Sequence, residues 1–260
     1  MADQGWASAI SSVVPNEIRV RGYRLDEMIG RVSFGEAVYL VLRGELPGAR
    51  VGRLVEALLV ASIDHGVTPP STLSARNAAT TGAPLNACLA AGALAVNRHH
   101  GGAVEDCMRL LGRGAARVRA GEPAGAVGAA LIAEEKAAGR RLPGFGHRIH
   151  TDDPRSRRLL ALAREAGAAG PHVAVAESVA ERLAAAGKPL PLNVDGAIAA
   201  VLADLGLSPE LANGFFILAR TAGWMAHVSE ELAREKPMRR IDQSQCTYDG
   251  PPPRALPAEP

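Results

Sequence analysis

Three segments hold residues whose type and spacing suit acid–base chemistry. In NRHHGGAVEDC, His100 stands directly before Gly101-Gly102-Ala103, where a helix is expected to begin. The positive end of a helix disfavours an imidazolium, so a histidine there stays neutral and can donate one hydrogen bond. A plain polar loop, with glycines making tight turns, accounts for the same residues. In NVDG, Asp195 precedes an apolar helix. It serves either as that helix's cap or, partly buried, as a general base.

The third segment is LPGFGHRIHTDDPR. Its Pro143-Gly144-Phe145-Gly146 stretch offers backbone N–H groups that no side chain hinders. With Arg140, Arg141 and Arg148 close in sequence, these can cradle a phosphate or an anionic tail, with His147 at the mouth of the loop. An ordinary connection between helices is the alternative. His147 and His150 also have an HxxH spacing, but no nearby Cys or Glu completes a ligand set, so no metal is expected.

Two arginines stand in unfavourable settings. Asp153-Pro154 reads as a helix N-cap followed by proline at the first helical position, which puts Arg155 in the first turn, against the dipole. It needs a partner, either a carboxylate held bidentately, such as a substrate's, or a surface ion pair. Arg220 interrupts the apolar GFFILARTAGWMAH. A buried guanidinium there requires an internal carboxylate or an anion-binding cleft.

The elements that must position these groups are mostly helical. Ser33 and Glu36 have capping-box spacing and predict a helix over 34–43. VGRLVEALLVASIDHG continues at helical spacing and leaves His65 at a helix C-terminus, ahead of the breaker-rich TPPST. Further helices are expected at 84–96, 103–119, 125–138, 154–166, 172–186 and 196–205, with a long one over 209–234. Glu17 to Tyr23 alternates polar and apolar, and the β content is expected there alone. PPPRALPAEP reads as an extended tail.

Composition agrees. Hydrophobic residues make up 47% of the 260, aromatics only 3%, so the core must be built from Ala, Leu, Val and Ile, which suits close-packed helices. The 29 Lys and Arg against 27 Asp and Glu leave +2. That gives no field arguing for nucleic acid as a partner. Three widely spaced cysteines without a CxxC suggest neither a disulfide framework nor a zinc site and point to the reducing cytoplasm. MADQGWASAI lacks the features of a signal segment, and Arg220 breaks the longest apolar stretch, so no membrane partner is expected.

DHG followed by a Ser-Thr turn, HHGGA, PGFGHR with DPR after it, NVDG, and ART-GW-AH, in this order, resemble the citrate synthase superfamily over about residues 19–250. In length and tail the chain is similar to stand-alone citryl-CoA lyases and to the C-terminal lyase module of ATP-citrate lyase. The resemblance implies an all-α fold, with a large helical domain (1–100 and 206–260) and a smaller one (101–205) closing over a cleft, in a homodimer or higher homo-oligomer. It implies an enzyme that cleaves or forms the carbon–carbon bond between acetyl-CoA and oxaloacetate through an acetyl-CoA enolate. A citrate synthase, or a non-catalytic relative that binds CoA or citrate, is the alternative.

By the same resemblance His100, His147 and Asp195 are catalytic. His65, Arg155 and Arg220 bind the di- or tricarboxylate, and Pro143, Gly144, Phe145 and Gly146 hold coenzyme A, which is a substrate. The family's late Arg-Pro-Arg, which lends a carboxylate-binding arginine to the neighbouring subunit, reads here IDQSQC. Arg239 or Arg240 is left as its substitute.

Overall fold

The computed structural model describes residues 5–146, 152–187, 190–240 and 242–256. Among them are eleven α-helices and one small antiparallel sheet. Strands β1 (Ser11–Val14), β2 (Glu17–Val20) and β3 (Tyr23–Arg24) form a meander in chain order, with Ser11 opposite Val20 and Arg19 opposite Arg24. The alternation around Glu17 marks β2 and β3. β1, with its SSVV sequence, lies outside it.

Helix α1 (Leu25–Met28) leads into α2 (Phe34–Arg43), whose capping box is present. Ser33 Oγ accepts from the Glu36 N–H, and Glu36 accepts from the Ser33 N–H at 2.8 Å. Helix α3 (Ala49–Ala61) ends before the DHG segment, which leaves His65 in a loop beyond the helix rather than at its last turn. Helix α4 (Pro70–Thr80) occupies the stretch read as breakers. Pro70 is its first residue, where a missing N–H has no partner to lose. The remaining helices are α5 (Leu85–Leu94), α6 (Ala103–Arg119), α7 (Ala124–Ala137), α8 (Pro154–Glu165), α9 (Pro171–Ala185), α10 (Val194–Asp204) and α11 (Ala212–Arg234). Pro209–Leu211, expected as part of the last helix, form a separate 3₁₀ turn before it.

Two hydrophobic clusters organise these helices. The larger surrounds α10, in which every residue from Gly196 to Leu202 is buried, and α6, α8 and α9 pack on it. Asp204 at its far end accepts from the N–H groups of Gly170, His172 and Val173, fixing the start of α9. The smaller cluster joins α4, α5 and α11 through Ala75, Ala79, Cys88, Trp224 and Val228. Helix α11 serves both, with Phe215 and Ala219 in one cluster and Phe216 and Trp224 in the other. At that seam the starts of α6, α8 and α10 meet the loop after α3.

Candidate active site

A cavity of about 150 Å³ lies at the seam, lined by His65, His100, Arg155, Asp195, Phe216 and Arg220, among others. Five of the side chains singled out from sequence therefore converge, although they come from positions 65 to 220. His147, with His150 and Arg148, lies outside the described residues.

Asp195 owes its freedom to Asn193. The N-cap of α10 is Asn193, whose Oδ1 accepts the Gly196 N–H at 3.0 Å. This resolves the two readings of NVDG: Asp195, two residues further on, is not the capping side chain. Burial pushes the Asp195 carboxyl above the usual carboxylate range, although Arg155, Arg220 and His65 pull the other way.

His100 precedes α6 by three residues and is half-buried. Burial, then the charges of Arg220 and His65, hold its imidazole below the ordinary value, so it is neutral at pH 7. Desolvation leads that shift. Its Nε2 lies 2.7 Å from Ser71 Oγ, and its ring meets Phe216 edge-on at 6.0 Å. Sequence reasoning missed Ser71 because it sits in α4, the helix that was read as a turn.

Arg155 does have the partner its position demands, and that partner is its own helix cap. Asp153 Oδ1 accepts from the Arg155 N–H at 3.0 Å and from Nε at 3.0 Å, and Oδ2 accepts from Nη2 at 2.9 Å. Asp153 Oδ2 also accepts from the Val194 N–H at 3.2 Å. One buried carboxylate thus clamps the start of α8 to the start of α10 and aims Arg155 at the cavity. The local N-cap explanation of Asp153 concealed this second role.

Arg220 is 5% exposed and, among the described residues, has no carboxylate within salt-bridge distance. Its Nε donates to the Ser62 carbonyl at 2.8 Å, and its guanidinium lies 4.8 Å from the centre of the Phe216 ring. Burial lowers its pKa, while Asp64 and Asp195 nearby favour the charge. A buried guanidinium whose partner among the described residues is a single neutral carbonyl is poised for an anion. Helix α11 continues the same stripe. Gly223 lets the helix approach the loop, since a Cβ there would meet the Ile63 carbonyl oxygen at 2.5 Å. One turn on, His227 Nε2 lies 3.0 Å from Asp64 Oδ1, so Arg220, Gly223 and His227 together hold the loop that carries His65.

The Pro143–Gly146 loop lies beside this site, but its glycines have a steric reason. The Gly146 N–H donates to the Pro191 carbonyl at 2.7 Å, the Gly144 carbonyl accepts from the Asn193 N–H at 3.0 Å, and Asn193 Nδ2 donates to the Gly146 carbonyl at 2.9 Å. A Cβ on Gly144, where φ is +82°, would lie 2.7 Å from the Gly196 Cα and 2.6 Å from Cys107 Sγ. A Cβ on Gly196 would overlap the Gly144 carbonyl oxygen. The loop is laid flat on the first turn of α10, and Phe145 is core. The expectation that its N–H groups stand open is corrected for Gly146. Arg140, expected to help cradle an anion, is held bidentately by Glu135 at 2.7 and 2.9 Å.

Arg239 is likewise committed. It pairs with Glu231, which is 1% exposed and also accepts from Arg76 Nε at 2.7 Å. As a substitute for the tail arginine, Arg239 would have to leave that buried carboxylate. No helix among the described residues is long and apolar enough to cross a membrane.

Comparison with known proteins matches the chain to one family. Residues 48–241 match the citrate synthase C-terminal domain family. The structure of citryl-CoA lyase from Hydrogenobacter thermophilus is 43% identical, covers 97% of both chains and superposes with a TM-score of 0.88. An ATP citrate lyase from Methanothrix soehngenii, solved with citrate and coenzyme A, shares the fold at 24% identity and a TM-score of 0.82, over 97% of this chain and 43% of that one. A putative citrate synthase 2 from Mycobacterium tuberculosis is 33% identical over 215 residues, 80% of this chain. The chain spans about half of that relative's length, 54%. A helical fold of this shape, with two histidines, an aspartate and two arginines meeting at the seam of its helices and a family match over most of its length, places the chain in the citrate synthase family.

Proposed function

We propose that this chain is a citryl-CoA lyase, cleaving the bond between the acetyl-CoA and oxaloacetate halves of citryl-CoA. The observation that carries the reading is the shared cavity, lined by the Asp195 carboxyl, the neutral His100 imidazole, His65, Arg155 and Arg220. Cleavage leaves an enolate on the acetyl-CoA half, which needs a hydrogen-bond donor at its oxygen and a proton at its carbon. His100 supplies the donor. Asp195, its carboxyl shifted toward the protonated form, supplies the proton. Arg155 and Arg220 hold the carboxylates of the other half. His147 takes the hydroxyl proton. The 43% identity to a citryl-CoA lyase over nearly both full chains supports this substrate.

Coenzyme A is a substrate in this reading, and the Pro143–Gly146 loop, fixed beside Asp195, guides its thioester. The division into domains at 1–100 with 206–260, and 101–205, belongs to the same proposal, as does a homodimer. Exposed Leu73 on α4, Leu85 and Leu94 on α5, and Met225 on α11 support the homodimer. The test incubates the protein with citryl-CoA and, separately, with acetyl-CoA and oxaloacetate, following free thiol and oxaloacetate. Oxaloacetate released from citryl-CoA, with no thiol released in the second mixture, is expected. Rapid thiol release with citrate formed would make the chain a citrate synthase instead. Asp195→Asn should reduce cleavage by about a hundredfold or more while citrate binding, measured by calorimetry, persists. An unchanged rate would remove Asp195 as proton carrier.

A further inference from the structure

We propose that His227 is a positioning residue: by holding the Asp64 carboxylate it fixes the turn that presents His65 to the substrate's carboxylates. His227 ends the GFFILARTAGWMAH stretch, whose Arg220 already belongs to the site. Its Nε2 lies 3.0 Å from Asp64 Oδ1. Asp64 Oδ2 accepts from the Gly66 N–H at 2.9 Å, so one carboxylate spans His65 and joins the residue beyond it to α11. Among the described residues, 64–68 make no backbone–backbone hydrogen bond, which leaves this carboxylate as the tether nearest His65.

The seat is built from both sides. A Cβ at Gly223 would lie 2.9 Å from Asp64 Oδ1, so the glycine leaves the carboxylate room to lie on α11, with His227 one turn further on. Burial raises the Asp64 carboxyl, but the N–H groups of Gly66 and His65 and the His227 ring outweigh it and keep it ionised at neutral pH. A carboxylate cannot donate, so the hydrogen between the two is the imidazole's own. Behind the ring, Nδ1 lies 3.5 Å from Nη1 of Arg76, a buried guanidinium that donates to Glu231 Oε2 at 2.7 Å and to Glu230 Oε2 at 3.2 Å. Glu231 is itself paired with Arg239. His227 therefore joins a fixed ion cluster to a loop with little backbone order of its own. An alanine at 227 leaves Asp64, 40% exposed, to water, and the turn around His65 is free to sample other shapes.

The turn follows from these contacts alone; its effect on affinity rests on the reading above that His65 binds the carboxylates. The experiment uses the full chain and its His227→Ala and His227→Gln variants, with His65→Ala alone and combined with His227→Ala. Hydrogen exchange read by mass spectrometry over residues 62–68, without ligand, reports the turn, and calorimetry with citrate reports the carboxylate site. His227→Ala is expected to speed exchange there while peptides from α4 and α10 keep wild-type rates. Its Kd for citrate should rise about tenfold, the factor one hydrogen bond of ordinary net strength supplies. KM for citryl-CoA should rise with it and kcat stay within about twofold, as for a contact equally present before and during the reaction. A glutamine amide can make the same donation to Asp64, so His227→Gln should restore both readings. Added to His65→Ala, His227→Ala should weaken citrate no further, because His65 is the residue through which it acts. Wild-type exchange in His227→Ala overturns the proposal, as does a second tenfold loss in the His65→Ala background or a His227→Gln protein no better than His227→Ala. Should His227→Ala fail to fold, Asp64→Ala, which removes the acceptor and leaves α11 as it is, must show the faster exchange and the weaker citrate binding, and wild-type values there overturn the proposal. Faster exchange in a protein whose citrate affinity ignores His65→Ala as well would uphold the positioning and sink the carboxylate reading instead.

Discussion

Asp153→Asn removes one charge from a side chain that accepts four hydrogen bonds, and the loss divides between its two oxygens. An amide can keep its carbonyl where Oδ1 is, still accepting from the Arg155 N–H and Nε. Its NH₂ then stands where Oδ2 was, facing the Arg155 Nη2 and Val194 N–H donors, so two bonds become donor–donor contacts. Hydrogen bonds to a charged group contribute about 1.5–3 kcal/mol when fully buried, and Arg155 is partly exposed, so the lower end applies and the pair is worth roughly 2–3 kcal/mol. At about 2–4 °C per kcal/mol for a chain of this size, the variant should melt roughly 5–10 °C lower by circular dichroism at neutral pH.

The pH dependence checks the cause. Burial raises the Asp153 carboxyl, but Arg155 and the backbone N–H groups outweigh it and hold the carboxyl below its ordinary value. A depressed folded-state pKa adds stability above the unfolded value, about 3.9, and that stability is lost as pH falls through the folded value. The gap between wild type and Asp153→Asn should therefore narrow as pH drops below about 4. Equal melting at pH 7, or a gap unchanged in acid, would refute the clamp.

Two other perturbations test the frame of the site. Gly144→Ala places a Cβ against Cys107 and Gly196 in left-handed backbone, and should lower stability by about 2–3 kcal/mol in a urea titration. The accompanying loss of cleavage should exceed that of an alanine at the exposed Gly139. Glu231→Gln leaves Arg76 and Arg239 around a neutral amide in a buried site; a loss of about 3–5 kcal/mol is expected by the same titration.

The sequence made the site legible where chemistry and spacing were local. His100, Asp195, Arg155 and Arg220 each broke a local rule or stood directly before glycine at a helix start, and all four reach the cavity. What stayed hidden depended on distance along the chain. Ser71 and Trp224 are 153 residues apart, and nothing in either neighbourhood signals the other. Asp153 was hidden for the opposite reason: helix capping explained it so fully that its bond to Val194 left no residue of surprise. Most helix boundaries fell within one or two residues of expectation because glycine and proline mark them, while α4 was missed because the same proline signal also opens helices.

Helix α11 carries Arg220, Gly223, Trp224 and His227 on one stripe, touching the Ser62 carbonyl, the Ile63 carbonyl, the Ser71 hydroxyl and the Asp64 carboxylate in turn. Each residue of a helix turns its successor by about 100°. Deleting a single residue between positions 220 and 227 would swing one end of that stripe out of the site while the other stayed in place. Substitutions along α11 remove contacts one at a time, but a change in its length removes the loop's support as a set, so length variation among functional homologues should fall outside this helix.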